Sequence, residues 1–343
     1  MERLLERYGM RMDEKIEELL KEYPIQLIGK RRIRGAILLE ASEGLFTLVQ
    51  YRDSARRLAF QERVKQVLVD GGYPYVDKAV PDINGELLTK DSMGNRWLLK
   101  HWYIGRECNL RDDRDICQAT THLAKLHNMM RCPETGDELP EDVQEDNLQV
   151  LLERHMREMK RVYNYIRGKK KRNEMEICIL NLFQKFYDQA GFAHMYISEI
   201  NYSELCRQCI NEKRVFHGSY NYHNIIFYEQ QIVTTNFERA DIGIQIVDLY
   251  DFLRKIMEKN GWNTKQGIKI LDTYQKVRPL EKQEAKLLYV LLLFPEKFWK
   301  QINFYYNGKK SWMSLKNYDK LLKIESQEEL RRNFLREAKG LLF

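Results

Sequence analysis

The run His217-Gly218-Ser219-Tyr220-Asn221-Tyr222-His223-Asn224, leading into the apolar Ile225 to Tyr228, narrows the structural choices for this chain. A polar turn, Glu229-Gln230-Gln231, leads to a second short apolar stretch, Ile232 to Thr235, which closes on Asn236-Phe237-Glu238, with Asp248 following. Two short apolar runs across a polar turn predict a β-hairpin. Polar groups stand at both of its ends and a histidine-glycine loop enters it. A loop feeding a hairpin in this way is a platform for a metal-bound phosphate.

Spacing sharpens that reading. In kinases a catalytic-loop Asp precedes a Mg²⁺-binding Asn with four residues between, and a second metal-binding Asp follows across a hairpin. Asn224 stands at that distance from Ser219, so the spacing is kept while the Asp is replaced. Asn236 occupies the place of the second acidic ligand. This layout resembles the aminoglycoside/choline kinase-like phosphotransferases, whose loop runs His-Gly-Asp-x-x-x-x-Asn and whose metal strand ends in Asp-Phe/Trp-Glu. Within that superfamily it is most similar to CotS-type spore coat proteins. The resemblance implies an α+β, protein kinase-like, two-lobe fold, with a small antiparallel sheet N-lobe and a mostly helical C-lobe. It also implies a protein of the bacterial spore coat, made in the mother-cell cytoplasm and associated with other coat proteins.

Bulk properties agree with a folded, water-soluble chain. Its 343 residues suffice for two packed lobes, and 43% hydrophobic with 11% aromatic content supplies a core. No long apolar run suggests a membrane span, and the charged start Met1 to Arg7 is expected to carry no signal peptide. Lys+Arg 57 against Asp+Glu 50 gives +7, a mixed surface that does not single out nucleic acid. Six cysteines are scattered; Cys206 and Cys209 form one CxxC, half of a tetrahedral site, so no metal centre is expected.

Along the chain, residues 2 to 22 predict a helix ended by Pro24, and residues 1–25 form a separate N-terminal element. Residues 26–104 then read as the N-lobe. Its strands are expected around Ile33, Ala36 to Leu39 and Leu45 to Tyr51, with a helix over Ala55 to Asp70 stopped by Gly71-Gly72. A hairpin of Glu86 to Thr89 with Trp97 to Trp102 completes the expected sheet. The family's phosphate-pairing lysine would fall near Val49 or Gln50, and no lysine lies between Lys30 and Lys65; Arg52 or Lys30 would have to reach in from elsewhere. Glu62 takes the place of the glutamate that braces that lysine, and without its partner reads as solvated or paired with some arginine.

Tyr103 to Glu107 reads as a hinge, and residues 105–343 as the C-lobe. Gly105-Arg106-Glu107 and Leu123-Ala124-Lys125-Leu126-His127 are similar to the family pattern there, with His127 read as a helix-end cap. Helices are expected over Arg114 to Met129, Asn147 to Arg167, Met175 to Ala190, Ile197 to Cys209, Asn263 to Lys276, Glu281 to Leu293 and residues 325 to 341. The run Lys169 to Arg172 is either a site for an anionic partner or, more commonly, a solvated turn. The aromatic stretch from Phe294 to Trp312 either packs the C-lobe or offers a platform.

Ser219 has no useful basicity, and Asn236 offers Mg²⁺ only a neutral carbonyl. Two unit charges at ~4 Å interact by roughly 4 kcal/mol at an effective dielectric of ~20, and each ~1.4 kcal/mol is tenfold in rate. Losing base, metal carboxylate and lysine together therefore implies turnover suppressed by many orders of magnitude. Asn224 and Asn236 remain as degenerate metal and nucleotide positions. His217, Gly218 and Asp248 are expected to be structural, with Asp248 accepting hydrogen bonds from the loop. A pseudokinase without bound metal, ATP or catalysis is the leading expectation. An unconventional sugar or amino-alcohol kinase using ATP and Mg²⁺ through Glu238, Asp241 or Asp248, and a nucleotide-binding sensor, are the alternatives.

Overall fold

A computed structural model describes residues 16–33, 35–132, 148–307 and 315–343. The loop around Pro133, Gly136 and Pro140, Trp312 and most of the expected N-terminal helix lie outside them. The chain divides into two compact units. The first takes in the described residues up to Cys108, a short piece from Met129, and Asn221–Ala240; the second takes in Asn109–Asn128, the stretch ending at Tyr220, and Asp241–Phe343.

Five antiparallel strands dominate the first unit: β1 (Leu27–Ile33), β2 (Ala36–Ala41), β3 (Gly44–Gln50), β4 (Thr89–Lys90) and β5 (Arg96–His101), in the order β1-β2-β3-β5-β4. Side chains alternate between the faces of a strand, and register keeps like with like. Leu39 pairs with Phe46 and Leu48 with Leu99, and these bury against Ile16, Leu19, Leu20 and Tyr23, the helical turn and following residues at the start of the described chain. On the opposite face Leu38 pairs with Thr47, Thr47 with Lys100 and Val49 with Leu98. One sheet face is therefore mainly apolar core, and the other mixes polar with apolar groups.

Helix α1 (Ala55–Asp70) has the expected bounds because both ends are signalled. Ser54 accepts the Arg57 N–H at 3.1 Å, and the Gly71 N–H closes onto Val67 O. The expected strand at Glu86 shortens to β4, because Asp82 Oδ1 holds the backbone of Asn84 and Glu86 in a turn. A second sheet, β6-β8-β9, is formed by β6 (Arg106–Glu107), β8 (Ile225–Tyr228) and β9 (Gln231–Thr234), while β7 (Val215–Phe216) and β10 (Asp241–Ile242) pair within the second unit. Part of the expected hinge is thus strand. Gly105 passes so close to β8 that an added Cβ would lie 2.6 Å from Ile226 Cγ2 and closer still to Phe227 O. Only glycine fits there.

The second unit is mostly helical: α2 (Asp113–Met129), α3 (Leu148–Arg167), α4 (Glu174–Ser198), α5 (Tyr202–Asn211), α6 (Ile246–Lys259), α7 (Thr264–Gln275), α8 (Lys282–Leu293), α9 (Glu296–Asn307) and α10 (Leu315–Leu342). Helix α4 runs past its expected end at Ala190, because Phe186, Ala190, Ala193 and Ile197 continue one buried stripe. The break comes at Glu199 to Asn201, where the Asn201 side chain caps α5. Arg331 of α10 is buried and donates to Leu292 O and Leu293 O at 2.8 Å each, closing the end of α8. No helix among the described residues is long and apolar enough to cross a membrane.

Candidate functional site

The polar face of the five-stranded sheet lines a cavity of about 730 Å³ within the first unit. Thr47 and Val49 of β3, Lys100 of β5, Asp77, Asn224 and Asn236 all reach its wall. Val49 confirms that the strand position nearest the expected lysine carries no charge, whereas Gln50 is exposed and does not line the cavity. The cation arrives one strand over. Lys100, paired across the sheet with Thr47, projects to the same face.

Lys100 does not meet open space. Its Nζ donates to Asp77 Oδ2 at 2.8 Å, and Asp77 is completely buried. Lys65 of α1 stands on the other side, its Nζ 3.3 Å from Asp77 Oδ1 and bonded to Asp77 O at 2.7 Å. Lys65 also pairs with Glu62 at 2.7 Å, and Glu62 accepts the Ala79 N–H at 2.9 Å. Glu62 is therefore neither solvated nor paired with an arginine, because a lysine one helical turn away on α1 meets it first. Burial alone would raise the Asp77 carboxyl, but Lys100, Lys65 and the Asn236 N–H more than offset it and hold it at about 2. Burial likewise pulls Lys65 toward neutrality, and Asp77 with Glu62 reverses the direction, keeping it charged.

Asn236 sits just past β9 in the left-handed region, at φ 66, a conformation asparagine tolerates better than most residues. Its N–H donates to Asp77 Oδ2 at 3.0 Å, while its side-chain Oδ1 is buried without a hydrogen-bond partner. Thr47 Oγ1 and Asp77 Oδ1 share that condition, although Oδ1 has the Lys65 charge nearby. Asn224 is buried, and its carbonyl accepts the Thr235 N–H at 3.0 Å. Glu238 is exposed on the short 3₁₀ turn that follows, where its carbonyl accepts from Gln61 of α1. Among the described residues the charged groups on the cavity wall are Arg31 and Lys100 against Asp77, Glu107 and Glu238, so within that set carboxylates outnumber cations. Mg²⁺ is bound through carboxylates and phosphate oxygens. At Asn224 and Asn236 it would find two neutral amides, and at Asp77 a carboxylate already held by ammonium groups. The positions of Asn236 and Asp77 therefore do not fit the metal.

The loop ahead of the hairpin belongs to the second unit. Asp248, in the first turn of α6, accepts the His217 N–H at 2.6 Å and the Gly218 N–H at 2.8 Å. His217 is fully buried, and its Nδ1 accepts the Ser219 N–H at 3.1 Å. His127 is not a helix cap. It is buried between Tyr274 Oη at 2.6 Å and Asp248 Oδ2 at 3.2 Å, since the end of α2 packs inside the unit rather than at its surface. Burial lowers the His127 pKa against the pull of Asp248, favouring the neutral ring.

The remaining sequence candidates separate. Arg172 donates to Ile166 O at 2.9 Å and to Arg167 O, finishing α3, and Lys169 pairs with Glu176. Two of the four cations in that run thus do local structural work. Cys206 and Cys209 are buried and not disulfide-bonded, and burial pushes Cys209 up to about 12. Among the described residues no cluster of His, Cys, Asp and Glu suits a metal ion. Sequence reasoning missed Asp77 and Lys100. Their signal was present: Lys100 is in phase with the inward Leu98, and Asp77 interrupts the otherwise uncharged Tyr73 to Val76.

This fold is that of the aminoglycoside phosphotransferases. The chain is similar over 95% of its length to 96% of an aminoglycoside phosphotransferase from Alicyclobacillus acidocaldarius, with a TM-score of 0.85 at 15% identity. It is also similar to a spectinomycin phosphotransferase crystallised with ADP and spectinomycin (TM-score 0.62, 11% identity, 93% and 98% covered) and a microcompartment-associated aminopropanol kinase (0.58, 10%, 94% and 97%). No curated protein sequence matches it. Residues 16–338 match the family model described as "Spore coat putative kinase YutH", and the chain belongs to that spore coat family.

Proposed function

We propose that this protein is a non-catalytic, kinase-like component of the spore coat, made in the mother cell and working through its surface on other coat proteins. The observation that carries this reading is the state of the cleft's charges. Lys100, among the described residues the one lysine on the cavity wall, is held by a buried carboxylate, and an amide, Asn236, stands where a metal-phosphate site has its acidic ligand. Phosphoryl transfer is positioning plus neutralisation of developing charge. A scaffold whose charges are already paired internally has little left to offer a triphosphate. Membership in a spore coat family supports the location.

Thermal-shift titrations with ATP and ADP, with and without Mg²⁺ or Mn²⁺, test the proposal, since a ligand that binds the folded state raises Tm by mass action. No shift and no ADP release are expected. The same null result is expected for Ser219→Asp combined with Asn236→Asp, because Lys100 stays neutralised and a new carboxylate would stand beside Asp77. Metal-dependent stabilisation of the unaltered protein accompanied by ADP release would sink the proposal.

A further inference from the structure

The cavity wall carries one residue whose role neither the loop motif nor the hairpin explains. Asp77 is completely buried, comes from an irregular segment between α1 and β4, and touches ammonium groups on two different elements. Lys65 has a second partner in Glu62, so its charge is answered even without Asp77. Among the described residues Asp77 is the carboxylate that pairs with Lys100, and of the two lysines it is Lys100 that lines the cavity. Asp77 lines the same cavity. An anion entering there would have to displace a carboxylate already bonded to Lys100 at 2.8 Å and anchored by the Asn236 N–H at 3.0 Å. It would also meet Glu107 and Glu238 on the wall.

We infer that Asp77 sets the charge selectivity of this cavity, occupying Lys100 as a built-in anion and thereby excluding phosphate-bearing ligands. The cavity then disfavours anions. Removing that buried negative charge while keeping its shape weakens that exclusion. With Asn at position 77, Lys100 keeps a carbonyl oxygen to bond but loses its counter-ion. Arg31 then adds a second cation on the same wall. A compact oxyanion can satisfy Lys100 by a charge-assisted hydrogen bond.

This inference shares the premise that the unaltered cavity holds no polyphosphate, and it adds a cause for it. Inorganic pyrophosphate, without divalent metal, is the probe, titrated calorimetrically at low ionic strength into the full chain and into Asp77→Asn. The unaltered protein is expected to show no binding. Asp77→Asn is expected to bind pyrophosphate at least tenfold more tightly, and Lys100→Met in that background to abolish the gain. Should Asp77→Asn prove too unstable to isolate, Asp77→Ser replaces it, and pyrophosphate is expected to raise the Tm of that variant more than sulfate-free chloride buffer of equal ionic strength. Pyrophosphate binding by the unaltered protein, no gain in either variant, or a gain that survives Lys100→Met overturns the inference. A failed gain overturns the inference and leaves the non-catalytic reading standing; ATP turnover by the unaltered protein overturns both.

Discussion

Replacing Asp77 by Asn should cost the fold far more than an ordinary surface change. The carboxyl is held at about 2 against an ordinary 3.8, which corresponds to about 2 kcal/mol of stabilisation of the charged form. Asn removes that and leaves the Lys100 ammonium, nearly buried, without its counter-ion. Breaking one partner of a buried pair typically costs about 3–5 kcal/mol, so a loss of about 3 kcal/mol is expected in urea melts at neutral pH. The pH dependence fixes the sign. A carboxyl whose pKa is depressed by folding stabilises fully above its unfolded value and loses that contribution as pH falls through the folded value. The gap between the unaltered protein and Asp77→Asn should therefore be constant above about pH 5 and shrink between about pH 4 and pH 2. Lys100→Met should cost less than Asp77→Asn, because Asp77 retains Lys65 and the Asn236 N–H. In the double variant the two losses should fall short of their sum, revealing coupling. A loss under ~1 kcal/mol for Asp77→Asn, or an additive cycle, would refute the reasoning that this pair is a buried, mutually dependent unit.

Two further outcomes follow from local geometry. Gly105→Ala forces a methyl onto the β8 backbone at Phe227 and onto Ile226 Cγ2, and overpacking of this kind costs about 1–3 kcal/mol, so its Tm should fall by several degrees; an unchanged Tm would show that β6 can move away. Asp248→Asn keeps the shape but presents an amide where two N–H donors converge at 2.6 and 2.8 Å; hydrogen bonds to a charged group are worth about 1.5–3 kcal/mol each, so a loss of about 3 kcal/mol in urea melts is expected, and a neutral result would mean that the loop is held from elsewhere.

Much of the architecture was readable in the chain because its signals are local. Ser54 and the Gly71-Gly72 pair bound α1 at the residues expected, and the alternation of β2 and β3 set which face became core. The hinge and the C-terminal end of α4 were harder. Gly191 looks like a stop in sequence, yet the buried stripe runs through it, and the hinge gained a strand because β8, far along the chain, supplies the partner for Arg106 and Glu107.

The site was readable where chemistry is tied to a motif and hidden where it is tied to register. Ser219, Asn224 and Asn236 could be placed from spacing alone, since the loop and hairpin are continuous in the chain. Lys100 could not, because its meaning depends on lying opposite Thr47 in the sheet, and strand register is a long-range property. A search for the missing cation confined to β3 was bound to find Val49 and stop. The cleft does contain an ammonium, and what decides its chemistry is the partner: a lysine facing a bound ligand and a lysine facing Asp77 are the same residue with opposite consequences. Absence of a motif residue thus says less about a kinase-like fold than the pairing of the charges that remain, and Asp77 is the position at which that distinction can be reversed by a single substitution.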